Sequence, residues 1–256
     1  MSKKYPPKTV EPQAKPPHLA AEDALEALSY ACEAAQAGEL PPVEAWLRAG
    51  GDVNAQDEQD TTLLFWAAVA GEEAMVKFLL ENGAEPNLED LRGWTPLYGA
   101  AYYGKWAVCQ RLIEAGANVN ARQHDGWSVL HHAVRRENPE MVRFFVEHGA
   151  DVNAADADGE TVLHTASYSE NTEIVRILLE KGAAPNAADE DGWTVLHAAC
   201  RSGNAELVRM LVEEFHANPT ARDADDQTPL DYVQELAGET DSEINYDAVE
   251  AYLKNC

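Results

Sequence analysis

The groups in this 256-residue chain that could do chemistry are eight histidines, four cysteines and 45 acidic side chains. A metal site needs His, Cys or carboxylate ligands paired a few residues apart. Cys32, Cys109, Cys200 and Cys256 are widely spaced and form no CxxC or Cys/His set. Three of them fall in apolar helical stretches, where a free cysteine serves as a small buried side chain. Only Cys256 is expected to be exposed and reactive, and this usage fits a reducing compartment, cytoplasm or nucleus. The acidic turns Asp156-Ala157-Asp158-Gly159-Glu160 and Asp223-Ala224-Asp225-Asp226 invite a calcium reading. Neither opens the D-x-[DN]-x-[DN]-G-x5-E loop, so solvated turn carboxylates are the better account. No P-loop, GxSxG, HExxH or GxGxxG occurs. The reading is therefore no enzyme: no catalytic residue, no metal and no cofactor.

The histidines lead to the organisation instead, because His131, His164 and His197 recur at intervals of 33 residues. Each closes a block, Ser128-Val129-Leu130-His131, Thr161-Val162-Leu163-His164 and Thr194-Val195-Leu196-His197. Thr62-Leu63-Leu64-Phe65 and Thr95-Pro96-Leu97-Tyr98 precede them in the same register, and Thr228-Pro229-Leu230-Asp231 follows after 34. Gly50, Gly83, Gly116, Gly149 and Gly182 hold the 33-residue spacing, as do Asn54, Asn87, Asn120, Asn153 and Asn186. Within one unit, Thr161 is placed to cap a first helix through Val162 to Ala166. Ile174, Val175, Ile177, Leu178 and Leu179 give a second helix with an apolar face, ended by Gly182. Asp156 to Gly159 form a turn, with glycine where φ is positive. Asp60 and Asp226 replace that glycine in two units, where the turns are expected to be looser. Two short helices and a turn cannot bury their faces alone, so the units must stack.

These blocks resemble ankyrin repeats, whose signature is a 33-residue period with T-P-L-H-x-A. The resemblance implies an all-α solenoid of helix-turn-helix units joined by β-hairpin-like turns, with atypical capping repeats. Seven units, centred on Ser29, Thr62, Thr95, Ser128, Thr161, Thr194 and Thr228, span residues 21–256. The first has Ser29-Tyr30-Ala31-Cys32 in place of the repeat block, the sixth has Phe215-His216 with one inserted residue, and the seventh lengthens its connection through Gly238 to Ser242. The TPLH-type histidines would tie one turn to the next. His132 lies beside the inner surface. Asn87, Asn120 and Asn186 each follow a leucine by eight residues. That resembles asparaginyl-hydroxylase sites, although such an asparagine ordinarily holds its loop through backbone hydrogen bonds.

In ankyrin arrays the partner meets the turn tips and the flank of the first helix, the concave face. Just before the repeat threonine this chain has Thr61, Trp94, Trp127, Glu160, Trp193 and Gln227. At the end of the first helix it has Tyr102-Tyr103, Arg135-Arg136, Tyr168-Ser169 and Arg201-Ser202 in the middle units. Tyr, Trp and Arg are the types most enriched in interface hot spots. The candidate partner-binding residues are thus Trp94, Tyr102, Tyr103, Trp127, Arg135, Arg136, Glu160, Tyr168, Trp193 and Arg201. A partner's apolar side chains would meet the tryptophans and its carboxylates Arg135, Arg136 and Arg201. Alternatively Arg135 and Arg136 neutralise Asp158 and Glu160 of the next unit. Trp46, Trp66 and Trp106 occupy positions that pack against adjacent helices.

Charge narrows the partner class. Against 45 acidic residues stand 19 basic ones, a net charge of −26, which disfavours nucleic acid and anionic membranes and favours basic protein surfaces. No apolar run approaches the ~20 residues of a bilayer span, and the first residues contain no signal-like segment. Residues 1–20 instead carry five prolines and four lysines and form a basic, proline-rich arm, expected to be extended or disordered, or bound to a partner. The function expected is a protein-binding adaptor or assembly subunit that takes a peptide, loop or domain in its groove, its oligomeric state left open. Two alternatives stand beside it. One is a phosphatase-targeting subunit, since Met75-Val76-Lys77-Phe78-Leu79-Leu80 looks like repeats of such proteins, although the basic-x-Val-x-Phe docking motif is missing. The other is a structural subunit of a large cytoskeletal or proteasomal complex.

Overall fold

Helices of six to ten residues are too short to persist alone in water, so tertiary stacking must supply their stability. The computed structural model describes residues 21–169, 171–238 and 244–256. The arm at residues 1–20 and most of the connection through Ser242 lie outside them. The first helices of successive units are α1 (Ala21–Ala37), α3 (Leu63–Ala70), α5 (Pro96–Tyr102), α7 (Val129–Arg135), α9 (Val162–Ser167), α11 (Val195–Arg201) and α13 (Pro229–Gly238). The second helices are α2 (Leu40–Arg48), α4 (Glu73–Glu81), α6 (Trp106–Glu114), α8 (Pro139–Glu147), α10 (Thr172–Glu180), α12 (Ala205–Arg209) and α14 (Asp247–Leu253). First helices pack on first helices and each on its own partner, so the core is one continuous seam along the solenoid. Leu64, Leu97, Leu130, Leu163 and Leu196, one per unit, are all buried to 1% exposure or less. Each contributes about 1.5–3 kcal/mol by leaving water.

The first helices α7, α9 and α11 are entered through the same device. The Thr161 backbone N–H donates to Nδ1 of His164 at 3.0 Å, and the helix reads back through His164 N–H to Thr161 Oγ1. Ser128 with His131 and Thr194 with His197 repeat the arrangement. In the last unit Asp231 takes the imidazole's place: its carboxylate accepts from Thr228 N–H at 3.0 Å and Thr228 Oγ1–H at 2.7 Å. Those bonds stabilise the anion and hold its pKa below the usual range. Ahead of the helices, isolated β-bridges such as Ala155 to Thr161 and Ala188 to Thr194 pin the hairpin-like turns.

Two expectations change on meeting the structure. Asp60 and Asp226 adopt φ of 57° and 63° and close their turns through N–H donation to Asp57 and Asp223 carbonyls at 3.0 and 3.1 Å. These turns are as tight as that of Gly159, whose N–H reaches the Asp156 carbonyl at 3.2 Å. The aspartates therefore carry the left-handed strain, of order 1–2 kcal/mol, within an unchanged turn. The inserted residue of the sixth unit goes into the second helix, which passes from α12 into a π-helical turn over Met210–Glu214. Ala217 N–H consequently reaches back six residues to the Leu211 carbonyl, where Ala183 reaches back five to Leu178. The bulge absorbs the extra residue, so His216, at φ 58°, occupies the turn position that glycine holds elsewhere.

Candidate protein-binding face

Backbone hydrogen bonds join four of the five pairs of successive turns from Asp57 to Asp226 into a ribbon, and the Trp94 side chain joins the remaining pair. Leu91 N–H donates to the Gln59 carbonyl at 3.1 Å, Ala157 to Asp125 at 2.9 Å, Glu190 to Asp158 at 3.0 Å and Ala224 to Asp191 at 2.7 Å. The ribbon and the first helices present one common face. The histidines at the repeat position lie behind it and couple the units. Because Nδ1 of His164 and His197 accepts a backbone N–H, the ring proton sits on Nε2 and donates onward, to the Trp193 carbonyl at 3.0 Å and the Gln227 carbonyl at 3.2 Å. His131 has the same cap, but among the described residues its Nε2 lacks the full onward hydrogen bond that the other two make. Burial holds all three neutral; that of His131 is pushed down to about 4.

The sequence candidates separate into two aromatic groups on this face. In the first, Trp94 lies 4.9 Å from Tyr98 and 5.0 Å from Tyr102, and Tyr102 lies 5.0 Å from Tyr103. His132 sits among Tyr98, Tyr102 and Trp127 at ring distances of 4.9, 5.2 and 5.4 Å. Tyr102 and Tyr103 remain 40% and 52% exposed, and Leu91 at the neighbouring turn tip is 57% exposed. In the second group Trp193 stacks on His197 at 4.9 Å and meets Tyr232 edge-on at 4.6 Å. Tyr168 lies beside it and donates its hydroxyl to Glu160 at 2.6 Å, which raises the tyrosine pKa together with burial, the larger cause. Each group borders an open cleft, of about 450 Å³ at Trp127 and about 740 Å³ at Trp193.

The tryptophans are half-buried and serve the scaffold with one edge. Trp94 Nε1–H donates to Gln123 at 2.9 Å and Trp127 Nε1–H to Asp156 at 3.2 Å, each one unit further on. The arginines also differ from the ion-pair alternative. Arg136 donates to the Tyr102 carbonyl, at 3.0 Å from Nε and through Nη2 as well, so it bridges to the preceding unit rather than to Asp158 or Glu160. Its partner is the free carbonyl at the end of α5, a site that favours a cation. Arg135 lies over the Trp127 ring at 5.6 Å and Arg201 over Tyr168 at 5.7 Å. Tyr98 and Tyr232 belong to these groups although sequence reasoning did not select them. Tyr98 occupies the repeat-histidine position and Tyr232 the variable one after it, and a helical aromatic there reads as core. Leu91 was visible only as a large apolar residue at a turn tip.

Trp46, Trp66 and Trp106 are turned to packing: the first two donate to the Asp52 carbonyl and to Asp57 at 3.2 and 3.1 Å, and Trp106 meets Phe145 edge-on. Cys32, Cys109 and Cys200 are buried and Cys256 is exposed. Burial drives the three buried thiols toward the unreactive neutral form, Cys32 up to about 12. The loop asparagines each bridge two units. Asn120, for example, donates to the Gly149 carbonyl at 3.0 Å and accepts from Asp151 N–H at 2.8 Å.

The repeat geometry agrees with comparison to known proteins. A family model for ankyrin repeats matches in three copies, over residues 28–123, 100–189 and 181–242. The chain belongs to the ankyrin-repeat family. Among solved structures, the ankyrin repeat domain of human ASB11 is similar, with 28% sequence identity and a TM-score of 0.70 over 88% of this chain and 96% of that one. Comparison with curated protein sequences gave no match. Ankyrin repeats are protein–protein interaction modules, so the protein-binding class of this ankyrin array follows from its family. No helix among the described residues is long and apolar enough to cross a membrane.

Proposed function

We propose that the turn-and-first-helix face across units three to six captures another protein, and that the chain acts as a non-enzymatic adaptor or assembly subunit. One observation carries this reading: Tyr102 and Tyr103, with ring centroids 5.0 Å apart, expose large aromatic surface together, and Tyr102 also lines a cleft walled by aromatic rings. A folded chain gains nothing from leaving such side chains in water, and gathered aromatic side chains beside a pocket are the usual anchor of an interface. Trp127, Arg135, Tyr168, Trp193 and Arg201 extend the same face. The turn ribbon holds them rigid, so little ordering entropy is lost on binding.

The test is cross-linked affinity capture from native cells, comparing wild type with Tyr103→Ala/Arg135→Ala. Both side chains are exposed, so the variant should keep its helical circular dichroism and melting midpoint. A partner recovered with wild type and lost with the variant supports the reading. A partner retained at wild-type yield overturns it.

A further inference from the structure

The cleft at Trp127 is built for a particular side chain. Its walls are Tyr98, Tyr102 and Trp127, and its rim carries Asp125, Asp156 and Asp158 against Arg135, a charge of −2 among the lining residues. Asp156 is already engaged, accepting from Asp158 N–H and Glu160 N–H through Oδ1 and from Trp127 through Oδ2. Asp158 stands exposed at the turn tip. His132 lines the cleft at 5% exposure, and its Nε2 has no hydrogen-bond partner among the described residues. A buried imidazole nitrogen without a partner costs free energy that an incoming N–H would recover. Burial, with His131, Arg135 and Arg136 around it, holds the ring neutral and able to accept a hydrogen bond. Arg135 over Trp127 shows that this aromatic face already carries a guanidinium.

The cleft at Trp193 repeats the chemistry with more charge. Asp189, Asp191, Asp223, Asp225 and Glu235 face Arg201 alone, a local charge of −4, between the aromatic walls of Tyr168, Trp193 and Tyr232. Two units separate the clefts, and at a helix-packing spacing of about 8–10 Å that is about 16–20 Å. An extended chain rises about 3.3 Å per residue and returns side chains to one side every second residue, so the span matches six residues. We infer that the partner presents an extended basic segment, seating two Lys or Arg side chains about six residues apart, one in each cleft. The inference rests on the protein-binding reading above and names the chemistry of the partner. In each cleft the aliphatic stem lies against the rings while the cation meets the turn-tip carboxylate, and at Trp127 it also donates to His132.

Fluorescence anisotropy on the full chain tests this with labelled Gly/Ser peptides carrying Arg at positions i and i+6, Arg at i and i+3, or Gln at i and i+6. The i, i+6 Arg peptide should bind at least tenfold tighter than either control. Asp158→Asn/Asp191→Asn should weaken it at least tenfold, whereas Glu173→Gln/Glu206→Gln, an equal charge change away from the face, should leave it within twofold. His132→Phe, which changes no charge, should weaken it about fivefold with native circular dichroism. Equal binding of the three peptides, or equal loss in the two charge variants, overturns the inference, since either reflects general attraction to an acidic protein. Should capture recover a partner through Tyr103 and Arg135 whose cross-linked segment lacks paired basic residues, the protein-binding reading stands and this inference falls.

Discussion

Acidification from pH 7.5 to 5.5 should destabilise the array through its buried histidines, and His132 provides the cleanest measure. Its folded pKa is pushed down to about 3 and that of His131 to about 4, with burial as the main cause in both. An unfolded histidine titrates near 6.5. Below that value the unfolded chain binds protons that the folded chain refuses. Stability is therefore complete above about pH 6.5 and falls as pH drops toward the folded pKa. At pH 5.5 each of these two groups is one unit below its unfolded pKa, which costs about 1.4 kcal/mol per group and about 3 kcal/mol for the pair. His164 and His197 add losses of the same sign. Measurement in 0.3 M salt screens the mutual repulsion of the exposed carboxylates. The assay is urea unfolding followed by circular dichroism at both pH values, for wild type and His132→Phe. The aromatic surroundings of Tyr98, Tyr102 and Trp127 accommodate a phenyl ring. The variant should lose about 1.4 kcal/mol less than wild type between the two pH values, about 0.5 M in urea midpoint for a slope near 3 kcal/mol/M. Identical pH dependence of the two proteins would refute the reasoning, because it would mean that His132 protonates freely in the folded state.

Two further perturbations probe the repeat architecture. An ideal Cβ at Gly126 would lie 2.8 Å from Asp156 Cα in the next turn, whereas one at Gly149 meets nothing within 4 Å, although both have φ above 80°. Gly126→Ala should therefore cost about 1–2 kcal/mol more than Gly149→Ala in denaturant melts, and equal costs would show that the turns do not stack as closely as the ribbon requires. Deleting Glu213 should convert the π-helical turn to regular helix and restore the 33-residue interval, with stability within about 1 kcal/mol of wild type, while deleting Arg176 from the regular helix α10 should cost more than about 3 kcal/mol by shifting an apolar face. Comparable losses for the two deletions, measured by chemical unfolding, would contradict the bulge as the place of the extra residue.

Periodicity made the scaffold legible. A threonine, a leucine and a histidine recurring every 33 residues can satisfy their local chemistry in one way only: cap, core and coupling hydrogen bond. Local rules of this kind act over a few residues and are written in residue type, so the helices, turns and buried cysteines could be read directly. Legibility failed where a residue's role depends on a neighbour one unit away. Arg136 looked like a staple toward Asp158 and Glu160, but the open carbonyl of Tyr102 lies nearer. Asp60 and Asp226 looked like weak turns, yet their N–H bonds back to Asp57 and Asp223 close the turns with both residues in the left-handed region.

The sequence by itself determined that this chain must stack repeats, that its variable positions are aromatic and basic in the middle units, and that its overall charge is strongly negative. These follow from composition and spacing, which do not depend on how one unit sits on the next. Only the tertiary structure decided which side chains meet. It placed Tyr98 and Tyr232 beside the tryptophans and left Nε2 of His132 without a partner among the described residues. It also turned the arginines onto rings and a carbonyl, so that carboxylates dominate the clefts. Residues 30 or more positions apart become neighbours through the small offset between stacked units, and that offset is set by packing along the whole core.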